Sequence, residues 1–135
     1  MAKTAFSKQR LLTGTFKPTA VVTYARFIGD NGNHPNTLGA RCIAIAQDSW
    51  NAEDIAIAAR DLSGNTDGLT GTAFGFEELE VDAAYSTPGL ELTADASNRG
   101  KAAVSTNWVN ALLFGVSTAA GDRVMVLKIV PYLKA

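Results

Sequence analysis

Apolar positions recur every second residue along most of this chain, the period of a strand with one face turned to a core. Two segments share one layout: Ile43-Ala44-Ile45-Ala46, a polar turn over 47–53 and Asp54-Ile55-Ala56-Ile57, then Phe114-Gly115-Val116-Ser117, a turn over 118–122 and Arg123-Val124-Met125-Val126. Each reads as strand, turn, strand. Ala20–Ile28, rich in β-branched and aromatic residues, predicts the first firm strand. Between Thr72 and Val81, Glu78 and Glu80 alternate with Leu79 and Val81, so the carboxylates, with Asp82, are expected to face solvent and the aliphatics a core. Leu90–Thr93 and Lys101–Ser105 read as further strands, joined by a turn at Asn98-Arg99-Gly100. In Arg123–Val130, Val124 and Val126 mark one face and Met125, Leu127 and Ile129 the other, a strand expected to be buried from both sides.

Loops separate these runs. Turn formers crowd 29–36 and 61–68, and Pro88-Gly89 marks a tight turn. The only weakly helical stretch is 49–60, where Asn51-Ala52-Glu53-Asp54 could open a short helix; the strand spacing of Ile55 and Ile57 favours the turn. Residues 1–17 lack sustained periodicity yet carry Phe6, Leu11, Leu12 and Phe16, which predicts an extended arm lying along a surface, of this subunit or another. The pattern therefore predicts an all-β protein, a small β-barrel or sandwich with little helix: an N-terminal arm over 1–17 and a single β-rich domain over 18–135.

At 135 residues the chain is long enough to bury a core, and its 19% charged content is lower than the usual quarter, which hints at a surface covered by partners. The charge is segregated. Lys3, Lys8, Arg10, Lys17 and Arg26 all precede the first acid, Asp30, and every acid except Asp30 and Asp122 lies between Asp48 and Asp95, opposed there by Arg60 alone. Two readings stand: the basic arm or the acidic body docks onto a complementary neighbour, or the clusters are solvated faces.

Catalytic chemistry finds few parts. The one histidine, His34, sits in a Gly/Asn/Pro loop and is expected to be exposed; the one cysteine, Cys42, starts an apolar strand and is expected to be a buried, inert thiol. Neither a zinc site, a P-loop nor an EF-hand spacing is present, so no catalytic residue, metal or cofactor is expected. The lone cysteine and the lack of a signal-peptide pattern favour a reducing cytoplasm, and no run approaches the roughly 20 apolar residues of a membrane helix. Basic and aromatic residues mix only in the arm, so neither nucleic acid nor membrane is an expected partner. Trp50, in a polar turn, reads either as an interface anchor or as a lid over the domain's own core.

The order of Glu80-Val-Asp82, Pro88 to Asp95, Asn98 to Ala102 and Leu113 to Leu127, with Phe114-Gly-Val-Ser117 and Ala119-Ala-Gly-Asp122 matching closely, resembles the capsid decoration, or cement, proteins of tailed bacteriophages. Ile43-Ala-Ile-Ala46 looks like that family's first copy of the same element, and the likeness spans roughly residues 38 to 130. The loops at 29–39 and 61–71 fall outside the close match. The resemblance implies a β-tulip-like, non-enzymatic module, a homotrimer at threefold or quasi-threefold positions of the outer capsid surface. Such a module binds the major capsid protein and stabilises the head of a virion assembled in the host cytoplasm. Arm residues Phe6, Arg10, Leu12 and Phe16, with Trp50, are the expected capsid contacts. The competing expectation is a carbohydrate- or receptor-binding β-domain using Trp50, Trp108 and the carboxylates around Glu78.

Overall fold

A computed structural model describes residues 8–61 and 68–135. Among the described residues eight strands and one helix follow in the order β1 (Arg10–Phe16), β2 (Phe27–Gly29), β3 (Cys42–Ala46), α1 (Ala52–Arg60), β4 (Leu69–Glu80), β5 (Glu91–Ala94), β6 (Gly100–Ala102), β7 (Trp108–Leu113) and β8 (Arg123–Leu133). The fold is all-β, one curled antiparallel half-barrel sheet. Its strand order is β2-β3-β4-β8-β7-β5-β6, with β1 added to β4.

β4 is the spine, because its twelve residues meet three partners. Its first half pairs with β1 on one edge (Gly14 opposite Gly71) and β3 on the other (Ile45 opposite Thr72), and its second half pairs with β8 (Leu79 opposite Val124). Glycine is needed where those partners change. Gly75 holds a φ of +124°, and a Cβ there would lie 2.1 Å from the Gln9 carbonyl oxygen, so no other residue lets β1 approach so closely.

Two apolar clusters fill the curl. The larger holds Phe27, Ile45, Leu79, Leu92, Leu113 and Val126; the smaller holds Val22, Ile28, Trp50 and Leu69 and is covered by Phe16, Ile55 and Ala58. Leu79 and Val81 are fully buried, as their alternation requires, but Glu78 and Glu80 are half-buried rather than solvated. Each has a partner: the Tyr24 hydroxyl donates to Glu78 at 3.0 Å, and Arg26 pairs with Glu80 at 3.0 Å.

Several expectations change. Ala20–Ile28 is not one strand, because Ala25 adopts a φ of +60° and breaks it; only Phe27–Gly29 pairs with β3, and Val22 makes a single bridge to Trp50. Residues 52–60 form a helix, not a turn and strand. Asn51 caps it by accepting from the Asp54 amide while the Asp54 carboxylate accepts from the Asn51 amide, and this reciprocal pair outweighs the strand spacing of Ile55 and Ile57. The second copy of the repeated layout keeps its turn and its Arg123–Val126 strand but loses its first strand: Phe114–Ser117 is a loop in which the Phe114 and Gly115 amides both donate to the Met125 carbonyl. On β8, Val124, Val126 and Lys128 are buried, while Met125, Leu127 and Ile129 are only half-covered, so one face is core and the other is partly open. The loop expected over 61–68 lies largely outside the described residues, as does the start of the arm.

Candidate interaction surface

The N-terminal strand is held at its start by charge. Glu77 lies on the same face as Leu79, and its carboxylate accepts from Arg10 Nε at 2.5 Å and Nη2 at 3.3 Å, from the Thr72 hydroxyl at 2.9 Å and from the Glu78 amide at 2.9 Å, with Lys8 Nζ 3.5 Å away. Burial alone would push this carboxyl up; the Arg10 guanidinium, the Glu78 amide and the Thr72 hydroxyl outweigh it and hold Glu77 below its ordinary value. The charge segregation seen along the chain is thus largely consumed within it. Arg26–Glu80, Arg99–Asp95, Lys101–Asp82 and Lys134–Glu91 add further internal pairs.

Beyond Arg10 the register slips twice, between Arg10 and Leu12 and between Leu12 and Thr13. A bulge suspends the alternation of a strand. Consecutive residues Leu11 and Leu12 therefore both point away from the core, 69% and 60% exposed. They border an apolar cleft of about 370 Å³ completed by Arg41, Ile43, Ala73, Phe74, Val130 and Pro131, with Val130 72% exposed. Among the described residues no backbone hydrogen bond reaches the edge of β1 that faces away from β4. Exposed apolar side chains beside an unpaired strand edge are what soluble folds usually avoid.

Near this cleft lies a second feature that alternation could have found. Lys128, on the Val124/Val126 face of β8 and opposite Gly75, is fully buried, and its ammonium donates to the Ile129 carbonyl at 2.6 Å. Burial pushes its pKa down to about 8. Arg41, at the cleft rim, stacks 5.4 Å from the Trp108 ring and lies 3.7 Å from Asp30.

The expected contact residues separate. Leu12 is at the cleft, and Arg10 is engaged with Glu77. Phe16 packs against the smaller cluster, and Trp50 is 5% exposed with its indole N–H donated to the Pro18 carbonyl at 2.9 Å, so it serves as the lid. Phe6 lies outside the described residues. Sequence reasoning missed Leu11, Phe74, Glu77, Lys128 and Val130; two adjacent leucines in a strand, and a glutamate on the Leu79 face, were the available signals.

Trp50 also lines a polar cavity of about 390 Å³ with Gln47, Asp48, Ser49, Asp54 and Thr70, but so little of the ring is open that it offers no stacking platform. Asp48 and Asp54 there accept from the Ser49 and Asn51 amides. His34 is half-buried, not exposed: Nε2 accepts from the Thr23 amide at 2.8 Å and Nδ1 lies 2.6 Å from the Phe27 carbonyl, so the ring pins the 23–27 segment, and burial lowers its pKa. The Cys42 thiol is buried and pushed up to about 12. Among the described residues no three His, Cys, Asp or Glu side chains converge, and no helix is long and apolar enough to cross a membrane. In comparisons with known proteins, no family model, no curated protein and no solved structure matches the chain.

Proposed function

We propose that this chain is a capsid decoration protein, which adheres to the outer surface of an assembled shell of major capsid protein and stabilises the head, three copies gathering at each threefold or quasi-threefold position. The observation that carries this reading is the open edge of β1 beside the apolar cleft, a surface suited to gripping an extended segment of a larger lattice. Full burial of Leu11, Leu12 and Val130 would contribute roughly 1.5 kcal/mol each. Three copies acting together convert such modest contacts into firm attachment, because the second and third engage at high effective concentration. The work is adhesive, not catalytic: His34 has both ring nitrogens engaged with backbone and Cys42 is buried as a neutral thiol.

The test is co-sedimentation with undecorated capsids. Leu12→Asp and Val130→Asp place charge on exposed positions, so the fold survives and binding is expected to fall at least tenfold. Deleting residues 1–7 separates the leader's share; deleting 1–17 would also strip β1 and leave Glu77 without Arg10. Saturation of capsids by both Asp variants at wild-type concentrations refutes the reading.

A further inference from the structure

Residues 23–26 form a short strap between two fixed points. At one end Val22 exchanges both backbone hydrogen bonds with Trp50, at 2.9 and 2.8 Å, and at the other the Phe27 amide donates to the Asn98 carbonyl at 2.9 Å. Between them Ala25 is fully buried. Its amide donates to the Ala46 carbonyl of β3 at 3.1 Å and its carbonyl accepts from the Glu80 amide of β4 at 2.8 Å, so the strap stitches the end of β3 to the end of β4. The strap is strained, because Ala25 sits at a φ of +60°, where a side chain is disfavoured. From the loop side it is pinned by the His34 ring.

That pin works in one protonation state. A backbone amide donates and a carbonyl accepts, so Nε2, 2.8 Å from the Thr23 amide, must present its lone pair, and Nδ1, 2.6 Å from the Phe27 carbonyl, must carry the hydrogen. A proton added to the ring goes to Nε2. Two N–H groups then face each other with no acceptor between them, and the Thr23 bond is lost while the Phe27 bond remains. We propose that His34 is an acid-sensitive catch, whose protonation frees Thr23 and lets the 23–26 strap lift from the ends of β3 and β4. The other titratable and charged side chains on the elements around the ring are already engaged: Tyr24 donates to Glu78 at 3.0 Å, Arg26 pairs with Glu80 at 3.0 Å, Asp48 accepts from the Ser49 amide and Asp30 lies 3.7 Å from Arg41. Burial, and with it the Arg26 charge, opposes protonation of the pinned ring, and the Phe27 carbonyl offsets this only in part, so His34 titrates below its ordinary 6.5. The released ring takes the proton more readily. Opening of the strap is therefore favoured as the pH falls below 6.5 towards the pinned value.

NMR on the full-length protein reads both halves of the catch. The ring nitrogen shifts are expected to show the Nδ1–H tautomer at pH 7.5 and a titration midpoint below 6.5. Hydrogen-exchange protection of the Thr23 amide is expected to fall about tenfold between pH 7.5 and pH 5, while that of Leu79, paired within the sheet opposite Val124, holds. Glu77 does not confuse the reading, because its folded value lies below 4.5 and it stays ionised throughout. His34→Gln supplies one acceptor and one donor, spaced much as the ring nitrogens are and without a titration in this range, and is expected to hold Thr23 protection constant. The wild-type measurements stand even where that variant fails to fold. An Nε2–H tautomer, a midpoint at or above 6.5, Thr23 protection that survives ring protonation, an equal fall at Leu79, or a fall as large in His34→Gln overturns the catch.

Discussion

Glu77→Gln tests the clamp that fastens β1 to the sheet. In the native pair one carboxylate oxygen takes Arg10 Nε at 2.5 Å and the Thr72 hydroxyl at 2.9 Å, and the other takes Arg10 Nη2 at 3.3 Å and the Glu78 amide at 2.9 Å. Gln must replace one oxygen by an NH₂ group. The better choice puts the NH₂ toward Thr72, whose hydroxyl can turn to accept, and forfeits the Arg10 Nε bond. A hydrogen bond to a charged group contributes about 1.5–3 kcal/mol, and a buried ion pair broken on one side costs more. Arg10 is one-third exposed and regains water, so the loss is about 2 kcal/mol, or about 8 °C in Tm for a domain of this size. Urea unfolding at pH 7 reads it.

The pH dependence has a definite sign. Because the folded Glu77 carboxyl lies below its ordinary 4.5, the unfolded chain binds the proton first as pH falls. Its stabilisation is complete above pH 4.5 and is lost as the pH drops through the folded value. The gap between wild type and Glu77→Gln therefore closes on acidification. A variant within about 0.5 kcal/mol of wild type at pH 7, or a gap undiminished at pH 3, refutes the clamp.

Three further outcomes are expected. Lys128→Met removes a buried amine whose pKa is about 8 in the fold against an ordinary 10.5, so wild type gains stability between pH 8 and 10.5 and the variant does not; denaturation midpoints at pH 7 and 10 compare them, with the variant at least as stable at pH 7. Gly75→Ala drives a Cβ into the Gln9 carbonyl at a φ of +124° and is expected to cost about 3 kcal/mol or more and to open Arg10 to trypsin, read as the rate of cleavage there. Asn51→Ala removes the cap of α1 and is expected to lower stability by about 1 kcal/mol in a thermal melt.

Strand content was legible wherever one face is buried and the other is not, as at Leu79 and Val81 with Glu78 and Glu80 between and beside them. It failed where a single residue's backbone overrides side-chain pattern: Ala25 at positive φ ends a run that its neighbours' propensities would continue. It failed again at 52–60, where Ile55 and Ile57 fit a strand but the Asn51–Asp54 caps select a helix. The pairing of β1 with β4 joins residues some sixty positions apart, a relation that local periodicity does not encode. The same non-locality hid the surface. Leu12 could be named from the arm, but its neighbours Phe74 and Val130 reach it only through the fold, and the bulge that exposes Leu11 is signalled only by the two adjacent leucines.

The position of β8 has a consequence for the order in which the sheet forms. It follows β4 and β7 in the chain yet sits between them, so neither side of the sheet can be zipped to the other until it docks. A folding intermediate without this keystone leaves Leu79 and Leu113 open to proteases, and insertion of β8 is the committing step.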